Sequence, residues 1–386
     1  MGNNSGFYIC PICHASGPPY IAYKNGIPYC RRCISFTGKV ADVNYIPNSN
    51  IRLKLSYPLS KEQETISKDT RKALDEGHNV LIHAVTGAGK TELVYASMES
   101  RLENGKHVGF ATPRKDVVVD LVPRISEAFP SAEVTAVYGG HSEKTSGDII
   151  VLTTHQLYRY PSYFDLLVLD EIDAFPFKDN PVLEAFFRKS IKGKYILLSA
   201  TPGEAQIKAV MEDNGILLKL FSRYHRFPLP VPERILSSLP GCYYHCYKQL
   251  KSFLDQGKPV FVFSPTIEEG KRLYSFLSLL LKGGAFVSSK EEERRQIIEK
   301  FKGKEYRYLV TTSILERGVT VFDLQVIIFH ADHVLFDSAS LVQISGRVGR
   351  KIHAETGKVY FIAEDKTRER ERAIHDIEKY NSSLLP

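Results

Sequence analysis

No stretch of this sequence approaches the ~20 consecutive apolar residues that a membrane-spanning helix needs. Residues 1–9 also lack the basic start and apolar run of an export signal. A cytosolic chain is the expectation. No internal repeat or low-complexity tract interrupts it. With 43% hydrophobic and 25% charged residues it falls outside the compositions of disordered, collagen-like and membrane proteins. Charge of one sign is not in great excess either, and the formal net charge of +7 favours a polyanionic partner without identifying one. Cysteine is sparse. The six present would be kept reduced in the cytosol, which makes them metal ligands or inert core residues rather than disulfides.

At 386 residues the chain is too long for one compact core and suits two domains plus a small appendage. Residues 7–40 are rich in Cys, Gly, Pro and Tyr without a helical period, and read as a small knuckle that something must staple. An Asn- and Pro-containing connector follows over 42–58. Helical and strand-like runs then alternate at 59–76, 80–83, 91–103 and 108–111, and the alternation resumes later at 259–263, 270–281, 308–310, 326–329 and 358–362. Such alternation implies parallel sheets covered by helices. Short unbroken apolar runs such as Val80-Leu81-Ile82 and Leu166-Leu167-Val168-Leu169 read as strands buried on both faces. Three prolines in Phe227-Pro228-Leu229-Pro230-Val231-Pro232 forbid a helix and mark a tether between two lobes. The expected domains are 1–55, 56–225 and 226–386. Residues 366–380, mixed in charge at helical spacing, read as a solvated surface helix.

The run Ala84-Val85-Thr86-Gly87-Ala88-Gly89-Lys90-Thr91 follows a strand and opens a helix. Glycines there let backbone N–H groups curl round a β-phosphate, Lys90 supplies a point charge to the β- and γ-phosphates, and the Thr91 hydroxyl ligates Mg²⁺. Thr86, Gly87, Ala88, Gly89, Lys90 and Thr91 are therefore the expected ATP cradle. The general loop pattern begins with Gly, where this chain has Ala84. At the end of the apolar run 166–169 stand Asp170 and Glu171, where α/β sheets hold ligands. Asp170 would hold Mg²⁺, directly or through water, and Glu171 would orient and deprotonate the attacking water.

These segments, and others in the expected order from residue 59 to 350, resemble the signatures of helicase superfamily 2. Gln63 resembles its adenine-reading glutamine. Ala111-Thr112-Pro113-Arg114 and Thr153-Thr154-His155-Gln156 are similar to segments that grip a nucleic-acid backbone, as is Phe263-Ser264-Pro265-Thr266 later in the chain. Ser199-Ala200-Thr201-Pro202 resembles the segment that couples ATP state to lobe closure. The run from Thr311 to Gly318 resembles one that touches both nucleic acid and nucleotide, which adds Gly318 to the nucleotide contacts. Gln343-Ile344-Ser345-Gly346-Arg347-Val348-Gly349-Arg350 is similar to the arginine-finger segment, which implies that Arg347 and Arg350 stabilise charge on the γ-phosphate. The resemblance implies an α/β fold of two RecA-like parallel-sheet lobes after a small N-terminal zinc-binding domain. It further implies a nucleic-acid-stimulated ATPase whose lobes close on ATP and ratchet along a strand. The acidic segment Asp170-Glu171-Ile172-Asp173 and the initial Gln343 depart from the DEAD-box RNA helicases, so DNA is the expected track.

Cys10-Pro11-Ile12-Cys13 and Cys30-Arg31-Arg32-Cys33, sixteen residues apart, have the spacing of two thiolate knuckles around tetrahedral zinc. Four protein ligands close the site, so the metal would be structural. Arg31, Arg32 and Lys24 with Tyr8, Tyr20, Tyr23 and Tyr29 offer either charge and stacking to a single strand or a solvated rim. His14 reads as surface, and Cys242, His245 and Cys246 lack a fourth partner. A four-cysteine knuckle before a compact helicase core resembles the ComFA-type late competence family of Gram-positive DNA uptake. What that implies is an ATP-driven translocase of single-stranded DNA at the inner face of the membrane, with a ComFC-type competence protein and the membrane DNA-uptake channel as partners. A repair or replication-restart helicase and an ATP-gated DNA-binding module are the competing readings.

Overall fold

The structure is a computed structural model that describes residues 8–36, 38–42, 44–288, 293–312, 321–351 and 353–382. It begins with an antiparallel hairpin of β1 (Ile21–Lys24) and β2 (Ile27–Cys30). A seven-stranded sheet follows, made of β3 (Asn79–Ala84), β4 (Val108–Thr112), β5 (Val134–Val137), β6 (Ile149–Thr153), β7 (Phe164–Asp170), β8 (Ile191–Ser199) and β9 (Gly215–Leu220), in the order β5-β6-β4-β7-β8-β3-β9. Helices α1 (Lys61–Asp75), α2 (Lys90–Leu93), α3 (Tyr95–Leu102), α4 (Lys115–Ala128), α5 (Pro181–Ser190) and α6 (Glu204–Glu212) alternate with these strands. A six-stranded sheet holds β10 (Glu233–Leu236), β11 (Val260–Phe263), β12 (Gly284–Val287), β13 (Tyr308–Thr311), β14 (Gln325–Phe329) and β15 (Val359–Ala363), in the order β10-β15-β14-β11-β13-β12. With it run α7 (Leu239–Asp255), α8 (Ile267–Leu280), α9 (Arg294–Lys302), α10 (Ser338–Ser345) and α11 (Arg368–Ser382). The registered pairings within both large sheets are parallel.

The apolar runs dictate this arrangement. Val80, Leu81, Ile82, Leu166, Leu167, Val168 and Leu169 are fully buried, and each such side chain contributes roughly 1.5–3 kcal/mol relative to exposure. Polar residues stand at the carboxyl ends of β4, β6, β7, β8 and β13 (Thr112, Thr153, Asp170, Ser199 and Thr311), which is where the helicase-like segments lie. Helix starts carry their own signals. Ser60 caps α1 in a capping box with Gln63, Asn180 caps α5 ahead of Pro181, Thr266 caps α8, and Asp337 caps α10.

The chain forms two compact units, one of Met1–His83 with Lys90–Lys219 and one of Ala84–Gly89 with Leu220–Pro386. The connector over 42–58 is strapped to the first unit: Asn48 N–H donates to Asp148 at 2.7 Å, Leu53 N–H donates to Glu99 at 2.7 Å, and Ile51 is fully buried. One expectation is corrected. α11 is not a solvated helix, because Arg370, Ala373, Ile374, Ile377 and Tyr380 are buried along one face, which packs against α10. The mixed charges of its outer face masked that stripe.

Candidate functional site

In the first unit β3, β8 and β7 lie side by side in parallel. His83 is level with Ser199, and Asp170 with Leu198. Lys90 and Thr91 open α2 directly after the turn that leaves β3, so they issue from the same end of the sheet as Asp170. The turn passes through Gly87 at φ +88° and Gly89 at φ +76°, a backbone that side-chain-bearing residues rarely adopt. Thr91 and Asp170 are both buried, a hydroxyl and a carboxylate of the kind that Mg²⁺ takes as ligands. Asp170 Oδ1 accepts from the Glu171 N–H at 2.8 Å. Glu171 itself sits at φ +57°, a left-handed conformation that costs a non-glycine residue on the order of 1 kcal/mol or more.

Asp173 has a role that the sequence reading missed. Its two carboxylate oxygens accept from the hydroxyls of Ser199 at 2.9 Å and Thr201 at 2.8 Å. Gln206 adds a bond to the Ile172 carbonyl at 3.1 Å. The acidic segment and the Ser199–Pro202 segment are thereby joined by side chains. The signal was present as two hydroxyls flanking Ala200, but nothing local says which carboxylate they meet.

His83 was also missed. Its Nε2 donates to the Ala200 carbonyl at 3.1 Å, and burial lowers its pKa to about 4 despite that bond. The ring is neutral near pH 7 and ties the phosphate strand to the same segment. Gln63 N–H donates to Ser60 Oγ at 3.2 Å, and its Oε1 accepts from the Ser60 N–H at 2.8 Å. The proposed adenine reader is therefore also a helix cap, as the Ser-x-x-Gln spacing foretells.

Thr112 and Thr153 are register partners at the ends of β4 and β6. This puts the two first-unit segments expected to grip a nucleic-acid backbone next to each other. The second of them continues as a 3-10 helix, Thr154–Arg159. In the second unit Phe263 and Thr311 are register partners, and Ser264 N–H donates to the Thr311 carbonyl at 2.8 Å. Gly318 lies outside the described residues. Arg347 is buried in the loop leaving α10, and Arg350 Nε donates to the Gly346 carbonyl at 3.0 Å. Thr86 belongs to this unit and donates to Gln343 Oε1 at 3.1 Å.

The four knuckle cysteines are brought together with ligand atoms within 4.8 Å of one another. Cys10 and Cys33 sulfurs are 3.9 Å apart, and those of Cys13 and Cys30 are 3.7 Å apart. Tetrahedral zinc with bonds of about 2.3 Å sets its sulfurs about 3.8 Å apart, so the cluster fits the metal. The Ile12 N–H donates to Cys10 Sγ at 3.4 Å. Burial, then the neighbouring thiols, pushes the Cys33 thiol far up, so these groups become thiolates together only with a cation among them. Among the described residues this is the one cluster of the kind, and Cys242 and Cys246 are core residues of α7. His14 is exposed at φ +56°.

The knuckle is docked on the Thr154–Arg159 helix. Phe36 stacks on His155 at 6.2 Å and meets Tyr158 and Phe186 edge-on at 5.7 and 4.8 Å. Arg159 donates to the Lys39 carbonyl at 2.9 Å and to Gln156 at 2.7 Å, while its own carbonyl accepts from the Ala41 N–H at 2.8 Å. Arg32 lies over the Tyr20 ring at 3.7 Å, which occupies both groups with each other.

Residues 64–210 match the family model described as DEAD/DEAH box helicase, and residues 245–351 match Helicase conserved C-terminal domain. Over 398 residues the chain is 33% identical to Competence protein ComFA of Streptococcus pneumoniae, covering 99% of this chain and 92% of that one. Over 382 residues it is 31% identical to Competence protein ComFA of Bacillus subtilis, covering 92% and 81%. Among solved structures, S. cerevisiae Dbp5 bound to RNA and ADP BeF3 matches with a TM-score of 0.63 at 15% identity, covering 84% of this chain and 92% of that one. The DUF1998 helicase MrfA bound to DNA and AMPPNP matches at 0.59 and 15%, covering 89% and 56%. At such identities the likeness is one of fold.

Proposed function

The chain belongs to the ComFA family of superfamily 2 helicases, and from that premise we propose that it is an ATP-driven translocase of single-stranded DNA that powers DNA uptake during natural transformation. The observation that carries the motor reading is one sheet end in the first unit. There Lys90 and Thr91 follow β3 and Asp170 ends β7, the two strands that flank β8, and Asp173 is bonded to Ser199 and Thr201.

Thr91 and Asp170 would hold Mg²⁺, which when bound neutralises charge on the phosphates. Lys90 and the backbone N–H groups of Thr86–Thr91 would cradle the phosphates, and Gln63 and Gly318 would contact the nucleotide. Glu171 would orient a water and take its proton as that water attacks the γ-phosphorus and the bond to ADP breaks, while Arg347 and Arg350 would stabilise the charge that develops. Any change in nucleotide state that moves Asp173 must move Ser199 and Thr201. This supports coupling of nucleotide state to the Ser199–Pro202 segment, the one read as linking ATP state to lobe closure. Cys10, Cys13, Cys30 and Cys33 would hold one structural zinc.

No helix among the described residues is long and apolar enough to cross a membrane. The cytoplasmic location at the inner membrane face, the ComFC-type partner and the uptake channel are inferences from the family. The test is steady-state ATPase activity without nucleic acid and with single-stranded DNA, duplex DNA, forked DNA or single-stranded RNA, at fixed salt. Selective stimulation by plain single-stranded DNA is expected. Best stimulation by forks would instead favour the repair or restart reading.

A further inference from the structure

Arg223 lies just past β9, in a stretch to which the sequence reading assigned nothing, and it is 2% exposed. Among the described residues no carboxylate pairs with it. Instead Nη1 donates to the carbonyls of Val348 at 2.9 Å and Gly349 at 2.8 Å, and Nη2 donates to that of Gly346 at 3.2 Å. His225 Nε2 adds a bond to the Gly349 carbonyl at 2.8 Å. These carbonyls belong to the loop that carries Arg347 and Arg350, and all of these groups lie in the second compact unit.

The loop is shaped to receive the guanidinium. Gly349 sits at φ +71°, and a Cβ there would lie 2.2 Å from the Glu355 carbonyl oxygen and 3.0 Å from Arg223 Nη1. The stem of Arg223 runs past Gly87, where a Cβ would meet its Cγ and Nε at 3.7 Å. One side chain thus touches the phosphate turn and holds the finger loop. Burial, with the charge of Arg350, depresses the Arg223 pKa to about 9, which shows how poorly this site solvates a cation. A buried cation bonded only to neutral carbonyls is an expensive way to fill space, and an apolar side chain of similar volume does so at lower cost. Arginine is kept where its planar fork of donors is used.

We propose that Arg223 is a positioning residue for ATP hydrolysis: its fork fixes the backbone from Gly346 to Gly349 and so aims Arg347 and Arg350. The inference rests on the reading of those two arginines as γ-phosphate contacts. Lysine keeps the charge but cannot serve three carbonyls in the same geometry, so Arg223→Lys in the full chain is the first variant.

With saturating single-stranded DNA, Arg223→Lys should lower kcat by about 10- to 100-fold while the ATP KM stays within about threefold. A role confined to stability would lower the melting temperature and the active fraction but leave kcat per ATP-binding site, counted by nucleotide titration, within about twofold of wild type. The triple variant Arg223→Lys with Arg347→Ala and Arg350→Ala should be no slower than Arg347→Ala with Arg350→Ala, within about twofold, because both groups being aimed are already gone. A kcat for Arg223→Lys within about twofold of wild type, or losses that multiply in the triple variant, would overturn the proposal. If Arg223→Lys does not fold, Arg223→Gln, which keeps N–H donors without the charge, supports the same comparison. Wild-type turnover in Arg347→Ala with Arg350→Ala is a distinct result: it removes the reading of the finger arginines, and this inference with it.

Discussion

Glu171 is held in left-handed backbone directly after β7, with its N–H bonded to the Asp170 carboxylate. A residue kept in that conformation is over-determined by its surroundings, as residues at reacting centres commonly are. Glu171→Gln should therefore leave ATP bound but uncleaved, with hydrolysis reduced at least about 100-fold. Lys90→Ala should abolish hydrolysis, and normal turnover in either variant would contradict the assigned roles. His83 allows a test by pH. Its folded pKa of about 4 lies below the ordinary 6.5, so between those values the unfolded chain binds a proton that the folded chain refuses. Stability is lost as pH falls through that window, by up to roughly 3 kcal/mol from this group. His83→Gln should flatten the fall in melting temperature between pH 6.5 and 4, and an unchanged pH profile would show that His83 carries none of it. At the residue scale the sequence singles out positions 86–91, 170 and 171, because phosphate chemistry restricts which residues can stand there. Asp173, His83 and Arg223 were not legible, since their partners lie 26, 117 and more than 120 residues away.

At the scale of elements, the four-cysteine knuckle and the Thr154–Arg159 helix form one structural piece. Phe36 inserts among His155, Tyr158 and Phe186, and Arg159 reaches back to the Lys39 carbonyl. The cysteine spacing announced the knuckle, whereas its dock was hidden. Phe36 and Gly38 are two of its parts: a Cβ on Gly38 would lie 2.3 Å from the Tyr158 hydroxyl. Because zinc supplies the folding energy of so small a segment, its loss should release the dock. Changing Cys10 and Cys13 to Ser should remove about one zinc per chain and speed tryptic cleavage at Lys39. Full zinc content in that variant would contradict the assignment. The character of α11 was misread for a related reason, since its charged residues outnumber the buried stripe that holds it to α10.

For the whole molecule, alternating apolar runs were enough to indicate two parallel-sheet units, because strands buried on both faces leave little choice of residue. The central claim is that hydrolysis moves the protein along single-stranded DNA, and a clamp that only grips would share nearly every local feature described above. The most direct measurement is ATP-dependent displacement of streptavidin from a biotin placed at either end of a single-stranded DNA. Displacement from one end that requires hydrolysable ATP and vanishes in Lys90→Ala is the predicted result. DNA-stimulated hydrolysis with no displacement from either end would contradict translocation and leave an ATP-gated binding module in its place.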